Sequence, residues 1–135
     1  MVALHHVVLG SVGIPPTINS VTGTIYNGIA GTLTLNLTNA TDTITVRFSE
    51  GAAVLADVTA SVNNNQTSIF VPAAVYNQSA GDTIVISCIN DTAISSINTV
   101  SKTVISAPTG GTITTYGNYR VHTFTSSGTF IVPSG

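Results

Sequence analysis

Between Gly31 and Val104 apolar and polar residues alternate along almost the whole stretch. The clearest run is Thr32 to Thr38, where Leu33, Leu35 and Leu37 share one face while Thr32, Thr34, Asn36 and Thr38 take the other. A period of two sends successive side chains to opposite sides of a strand, so this is the pattern of a half-buried antiparallel strand. Ile44, Val46 and Phe48 repeat it with Thr45 and Arg47 outward, and Asn39 to Asp42 has turn composition. The two runs are expected to pair as a hairpin.

Further strands are predicted over Val58 to Val62, Ser68 to Val71, Thr83 to Cys88 and Asn98 to Val104. Asn63-Asn64-Asn65 and Ala80-Gly81-Asp82 read as turns, and Pro72 should end its strand. In the last strand Lys102 shares a face with Val100 and Val104, which suits an exposed edge that discourages further pairing. Upstream, alternation places Ile18 and Ser20 on one face and Asn19 and Val21 on the other, before the turn residues Gly23, Asn27 and Gly28. No stretch supports a long amphipathic helix. Short strands at this spacing predict one all-β sandwich over residues 15–106.

Two appendages flank it. Residues 1–14 carry Val2, Leu4, Val7, Val8 and Leu9, then Gly10 and Gly13, ahead of Pro15-Pro16. That is too short and too interrupted for a domain, and it reads as an extended arm. An apolar arm without a partner is unfavourable in water, so these five residues are candidates for pairing with a neighbouring subunit. The alternative is a first strand of the same sandwich. Residues 107–135 form a C-terminal segment in which Tyr119 to Phe124 and Thr129 to Val132 are strand-like, with Ser126-Ser127-Gly128 as the turn of a hairpin. Tyr116, Tyr119, Phe124 and Phe130 are its candidate outer contacts.

Composition narrows the function. Charged residues make up 6% of the 135 and apolar residues 43%, so the surface must be Thr, Ser and Asn, with a net charge of -2. Little charge means little repulsion between copies, which favours assembly into a homo-oligomer. The three basic residues, Arg47, Lys102 and Arg120, cannot supply the patch needed for nucleic acid or an anionic membrane. No apolar run approaches the ~20 residues of a membrane span, and MVALHHVVLG lacks the positive start of a signal peptide, so synthesis in the cytoplasm is expected. On that basis the five Asn-x-Ser/Thr triplets, at Asn36, Asn39, Asn65, Asn77 and Asn90, are accidents of composition.

The ordered strands also resemble a known family. Pro16-Thr17-Ile18-Asn19-Ser20-Val21, Gly31-Thr32-Leu33-Thr34-Leu35, Ile44-Thr45-Val46-Arg47-Phe48, Thr67-Ser68-Ile69-Phe70-Val71-Pro72 and Ala80-Gly81-Asp82-Thr83-Ile84-Val85-Ile86 are similar, in order, to elements of IPT/TIG immunoglobulin-like domains. One departure is Asn36-Leu37-Thr38-Asn39, where the family usually has a glycine and an Asn-Phe pair. The segment from Thr112 to Phe130 resembles the entry to the glycine-rich domains of bacteriophage tail fibres, without the glycine-rich body. Together the resemblances imply a structural protein of a bacteriophage virion, a head decoration, head fibre or tail fibre. Its partners would be other virion proteins, held through the arm, in an oligomer such as the trimers common in fibres, with a host-surface glycan as a candidate ligand. A cell-surface adhesin or glycan-binding module is the alternative.

Little here suggests an enzyme. Ser, His and Asp are present without a Gly-x-Ser-x-Gly elbow, and no phosphate loop or repeated Asp spacing for calcium occurs. His5 and His6 are adjacent, which in a strand points them apart. His122 reads as structural, and Asp42, Asp82 and Asp91 as turn residues. Cys88 falls at an apolar slot and reads as a core thiol. No catalytic residue, metal or cofactor is expected. Tyr26, Tyr76, Tyr116 and Tyr119 could stack on sugars, but scattered tyrosines are more often rim or core residues.

Overall fold

A computed structural model describes residues 14–40, 42–117 and 119–134. The proposed anchoring residues Val2, Leu4, Val7, Val8 and Leu9 lie outside the described residues.

Among the described residues the chain is mostly β-strand, with one turn of helix. Its elements in order are β1 (Thr17–Thr22), β2 (Ile25–Tyr26), β3 (Thr32–Thr38), β4 (Thr43–Glu50), β5 (Ala53–Ser61) and β6 (Gln66–Phe70). The helical turn α1 (Ala73–Tyr76) follows, then β7 (Thr83–Asn90), β8 (Val100–Ile105), β9 (Thr112–Tyr116) and β10 (Tyr119–Thr123). Three strands form one sheet in the order β1-β3-β6, and five form a second in the order β2-β8-β7-β4-β5. Pairing is antiparallel except for β2 alongside β8.

The alternation seen in the sequence decides which face of each sheet is buried. Leu33, Leu35 and Ile69 from the smaller sheet meet Val46, Phe48 and Ile86 from the larger in one cluster that excludes water. Each such side chain contributes about 1.5–3 kcal/mol on full burial. Thr67, the one buried polar residue among those described, donates its hydroxyl to the Ser61 carbonyl at 2.8 Å, so its burial leaves nothing unsatisfied.

Four expectations change. Leu33–Leu37 and Ile44–Phe48 do not pair as a hairpin: β3 and β4 belong to different sheets and face each other across the core. Asn39 and Asp42, both at positive φ, turn the chain from one layer to the other. The hairpin is instead β4 with β5, closed by Gly51-Ala52. Second, Ile18 and Val21 are both buried although alternation puts them on opposite faces. Ile18 pairs with Leu37 and Ser20 with Asn36, so Asn19 is an extra residue that resets the phase. Third, β5 begins at Ala53 instead of Val58, because Leu55 is a second extra residue between the pairs Phe48 with Ala56 and Ser49 with Val54, and it breaks the alternation there. Fourth, β8 starts at Val100 and is not a free edge. β2 covers its end, pairing Ile25 with Val104 and Tyr26 with Ile105. Lys102 still points as expected, and its Nζ donates to the Gly23 carbonyl at 2.9 Å.

Gly23 and Asn98 hold the first strand in place. β1 lies in one sheet and β2 in the other, and Gly23, at φ +104, makes the switch. A Cβ there would sit 2.6 Å from the Thr32 carbonyl oxygen, so only glycine fits. Asn98 supplies what β1 lacks on its open side. Its Oδ1 accepts from the Ile18 N–H at 2.9 Å and its Nδ2 donates to the Ile18 carbonyl at 2.8 Å, while the Ile97 N–H donates to the Pro16 carbonyl at 3.0 Å.

These pairings fix where the chain enters and leaves. Thr17 sits beside Thr38, the far end of β3 from Thr32. β8 runs parallel to β2 and ends at Ile105 beside Tyr26, toward the Thr32 end. The two-sheet unit therefore separates its inlet from its outlet by about the length of a seven-residue strand, roughly 20 Å.

Truncating Phe48 to Ala should cost about 3–5 kcal/mol and Asn98→Ala about 1–3 kcal/mol, whereas Thr34→Ala on the outer face should cost under ~0.5 kcal/mol. Urea unfolding of the three variants measures this, and equal losses would contradict a single shared core pinned at Asn98.

Candidate functional site

Several of the ionisable groups are occupied in structural work. Arg47 and Asp57, paired across β4 and β5, make a two-pronged bond, Nε to Oδ1 at 2.8 Å and Nη2 to Oδ2 at 2.7 Å. The hydrogen bond to Arg47 holds the Asp57 carboxyl below its ordinary range, and Asp57 in turn raises the guanidinium. Both side chains are solvated, so the pair contributes little to stability. Asp82 accepts from the Ser79 N–H at 2.8 Å, a turn role as expected. Among the described residues no group of three or more His, Cys, Asp and Glu is placed to hold a metal ion.

Cys88 is fully buried on β7, and desolvation pushes its thiol from an ordinary value of 9.0 to about 11. The neutral thiol is the form the core accepts, as expected of a small hydrophobe.

On the outer face of the smaller sheet hydroxyls and amides bond to one another. Asn36 Nδ2 donates to Ser20 Oγ at 2.9 Å, Gln66 Nε2 donates to Asn36 Oδ1 at 2.8 Å, and the Thr34 and Ser68 hydroxyls lie 2.9 Å apart. A shallow hollow of about 420 Å³ beside them is lined by Asn63, Asn64 and Thr67 among others. Much of its hydrogen-bonding capacity is spent internally.

The C-terminal segment is differently built from the expected hairpin. β9 pairs with β10, Tyr116 opposite Tyr119 and Thr112 opposite Thr123, with Gly117 and Asn118 between them in the chain. Gly117, at φ +55, allows the tight reversal. Thr129 to Val132 is not a strand; only Ile131 bridges, exchanging two backbone bonds with Thr109 at 2.9 and 3.0 Å. The bend at Thr125-Ser126-Ser127 redirects the chain, and Phe124 lies over Gly128, where an added Cβ would meet the ring at 2.7 Å. Phe130 packs edge-on against His122 with centroids 4.8 Å apart, and His122 Nδ1 lies 2.8 Å from the Gly110 carbonyl.

The four aromatic candidates therefore divide. Phe124 and Phe130 are 39% and 50% exposed and engaged within the segment, whereas Tyr116 and Tyr119 are 78% and 72% exposed as cross-strand neighbours. Of the scattered tyrosines, Tyr76 packs against the core.

Between this hairpin and the outlet end of the two-sheet unit lies a cleft of about 630 Å³. Gly28 to Thr32 and Phe70 form one wall; Ile113, Thr114, Thr115, Gly117, Tyr119 and Arg120 form the other. Tyr119 is the one candidate residue that lines it. Phe70, 81% exposed, was not among the candidates, yet the alternation marks it. Thr67, Ile69 and Val71 are the buried positions, so Phe70 must face outward, an unusual place for Phe in a polar row. Comparison with protein-family models, with curated proteins and with solved structures returns no match.

Two outcomes check this description. Gly110 has φ +112 and a Cβ there would collide with the Thr129 carbonyl, so Gly110→Ala should abolish the Thr109–Ile131 bridge, seen as fast amide exchange at Ile131, without lowering the unfolding midpoint of the two-sheet unit. For Cys88, the unfolded thiol ionises near 9 and the folded one near 11, so its contribution is intact below pH 9, falls as pH rises and levels off above 11. The drop should vanish in Cys88→Ala, and a thiol reagent at pH 8 should label the native protein only as fast as it unfolds.

Proposed function

We propose that this chain is a non-enzymatic structural component of a bacteriophage virion, a head decoration, head fibre or tail fibre, assembled as a homo-oligomer. The two-sheet unit acts as a rigid spacer of immunoglobulin-like, IPT/TIG type. The arm ahead of Pro15-Pro16 is the anchor to other virion proteins, and the C-terminal segment faces outward.

The observation that carries the reading is the separation of inlet and outlet. The chain enters beside Thr38 and leaves toward the Thr32 end, so whatever the arm grips is held a strand's length from the hairpin. A spacer needs that layout. The immunoglobulin-like assignment draws support from the strand order, in which the chain changes sheets from β3 to β4, from β5 to β6 and again from β6 to β7, leaving few consecutive hairpins. The virion itself rests on the sequence resemblances.

A second reading, a glycan-binding module, is favoured by the cleft, where Tyr119 and Phe70 present exposed rings. It differs in needing no particle.

Deleting Met1 to Gly13 should abolish incorporation into particles while leaving the thermal unfolding midpoint unchanged. Immunogold labelling of purified particles with antibody against the two-sheet unit should place the chain on the head or the tail. Unchanged incorporation sinks the anchor, and unlabelled particles sink the virion reading.

A further inference from the structure

We propose that the cleft between Gly28–Thr32 and the β9–β10 hairpin binds a carboxylate-bearing sugar. The assignment is independent of the spacer reading and rests on the glycan-binding one, whose ligand class it names.

Its volume, about 630 Å³, falls within the roughly 300–1,000 Å³ of small-ligand sites. The cation inventory gives the charge of the ligand. Arg47 is held by Asp57, and Lys102 is spent on the Gly23 carbonyl. Arg120 makes no side-chain hydrogen bond or ion pair among the described residues, and it lines the cleft. No Asp or Glu lines the cleft with it. A guanidinium presents parallel N–H donors that match the two oxygens of a carboxylate. On the facing wall, the Ala30 and Gly31 N–H groups make no backbone hydrogen bond among the described residues, and Gly31 brings no side chain to screen them. Unpaired donors therefore lie on both walls.

The body of the ligand is given by the remaining walls. Phe70 and Tyr119 offer exposed ring faces, which pack on the C–H faces of a pyranose, and Thr32, Thr114 and Thr115 supply hydroxyls that both donate and accept. A fatty acid would leave those hydroxyls unmatched. A nucleic acid would need several cations in place of one.

The test is an amide and side-chain NMR titration of the full chain with glucuronate, with glucose as the matched sugar lacking the carboxylate and acetate as the carboxylate lacking the sugar. Glucuronate should shift the Ala30 and Gly31 amides and the Arg120 Nε–H saturably, and glucose and acetate should each bind at least about tenfold more weakly, the loss expected on removing a charge-assisted bond or the stacked ring. Arg120→Gln should weaken glucuronate about tenfold and leave glucose unchanged, whereas Phe70→Ala should weaken both. Both side chains are exposed, so unchanged core amide shifts certify that the variants fold. The proposal is overturned if glucuronate and glucose bind alike, if acetate binds as well as glucuronate, if Arg120→Gln binds as the parent does, or if neither glucuronate nor galacturonate gives a saturable shift.

Discussion

Leu33, Leu35 and Leu37 form one apolar row, Ile44, Val46 and Phe48 another, and they lie on strands that follow each other directly in the chain. Placed side by side in one sheet, the two rows would still need a cover. Placed in opposite sheets, each becomes the other's cover, and the cost of exposing either row, about 25 cal/mol per Å² of apolar area, forces that choice. The two-layer architecture follows from it. So does the Asn39–Asp42 passage between layers, where two residues at positive φ are tolerated because Asn and Asp bear that conformation better than other side chains.

A sheet pair of this kind leaves open edges, and the first strand must be secured on its side away from β3. The chain does this without a further strand. Asn98 bonds both backbone groups of Ile18, so its side-chain amide replaces a peptide unit of a missing neighbour. Gly23 lets the following residues cross to the other sheet, where β2 covers the end of β8. The position of Pro16, just ahead of β1, is thus set from the β7–β8 loop, nearly the whole unit away in sequence.

The alternation made most of this legible. It identified the inward rows of β3 and β4, the core position of Cys88 on β7 and, among the described residues, the absence of a long helix. It failed where a single residue was inserted: Asn19 and Leu55 each shift the phase, and a period-two reading carried through them assigns the wrong face or loses the strand. Sheet membership was illegible for another reason. A strand's own pattern says which face is buried, never which neighbour it pairs with, so turn composition at Asn39–Asp42 suggested a hairpin that burial of the two rows overrides. In the C-terminal segment the wrong turn was chosen, because Ser126-Ser127-Gly128 has the composition of a loop but Gly117-Asn118 is short enough to close a ladder.

The cleft was hidden in a further way, since its walls come from segments far apart in the chain, Gly28 to Thr32 and Phe70 on one side and Ile113 to Arg120 on the other. Yet its two most informative residues carried a local signal. Phe70 is apolar where the row demands polar, and Arg120 is a cation in a chain that uses almost none. In a surface so poor in charge, an arginine with no carboxylate against it is held at little cost in water, and it adds nothing to folding. The same group gains a strong partner when a carboxylate reaches it. Residues that break the pattern of the fold without strengthening it are therefore the ones to expect at a site, and both lie at the outlet end of the two-sheet unit.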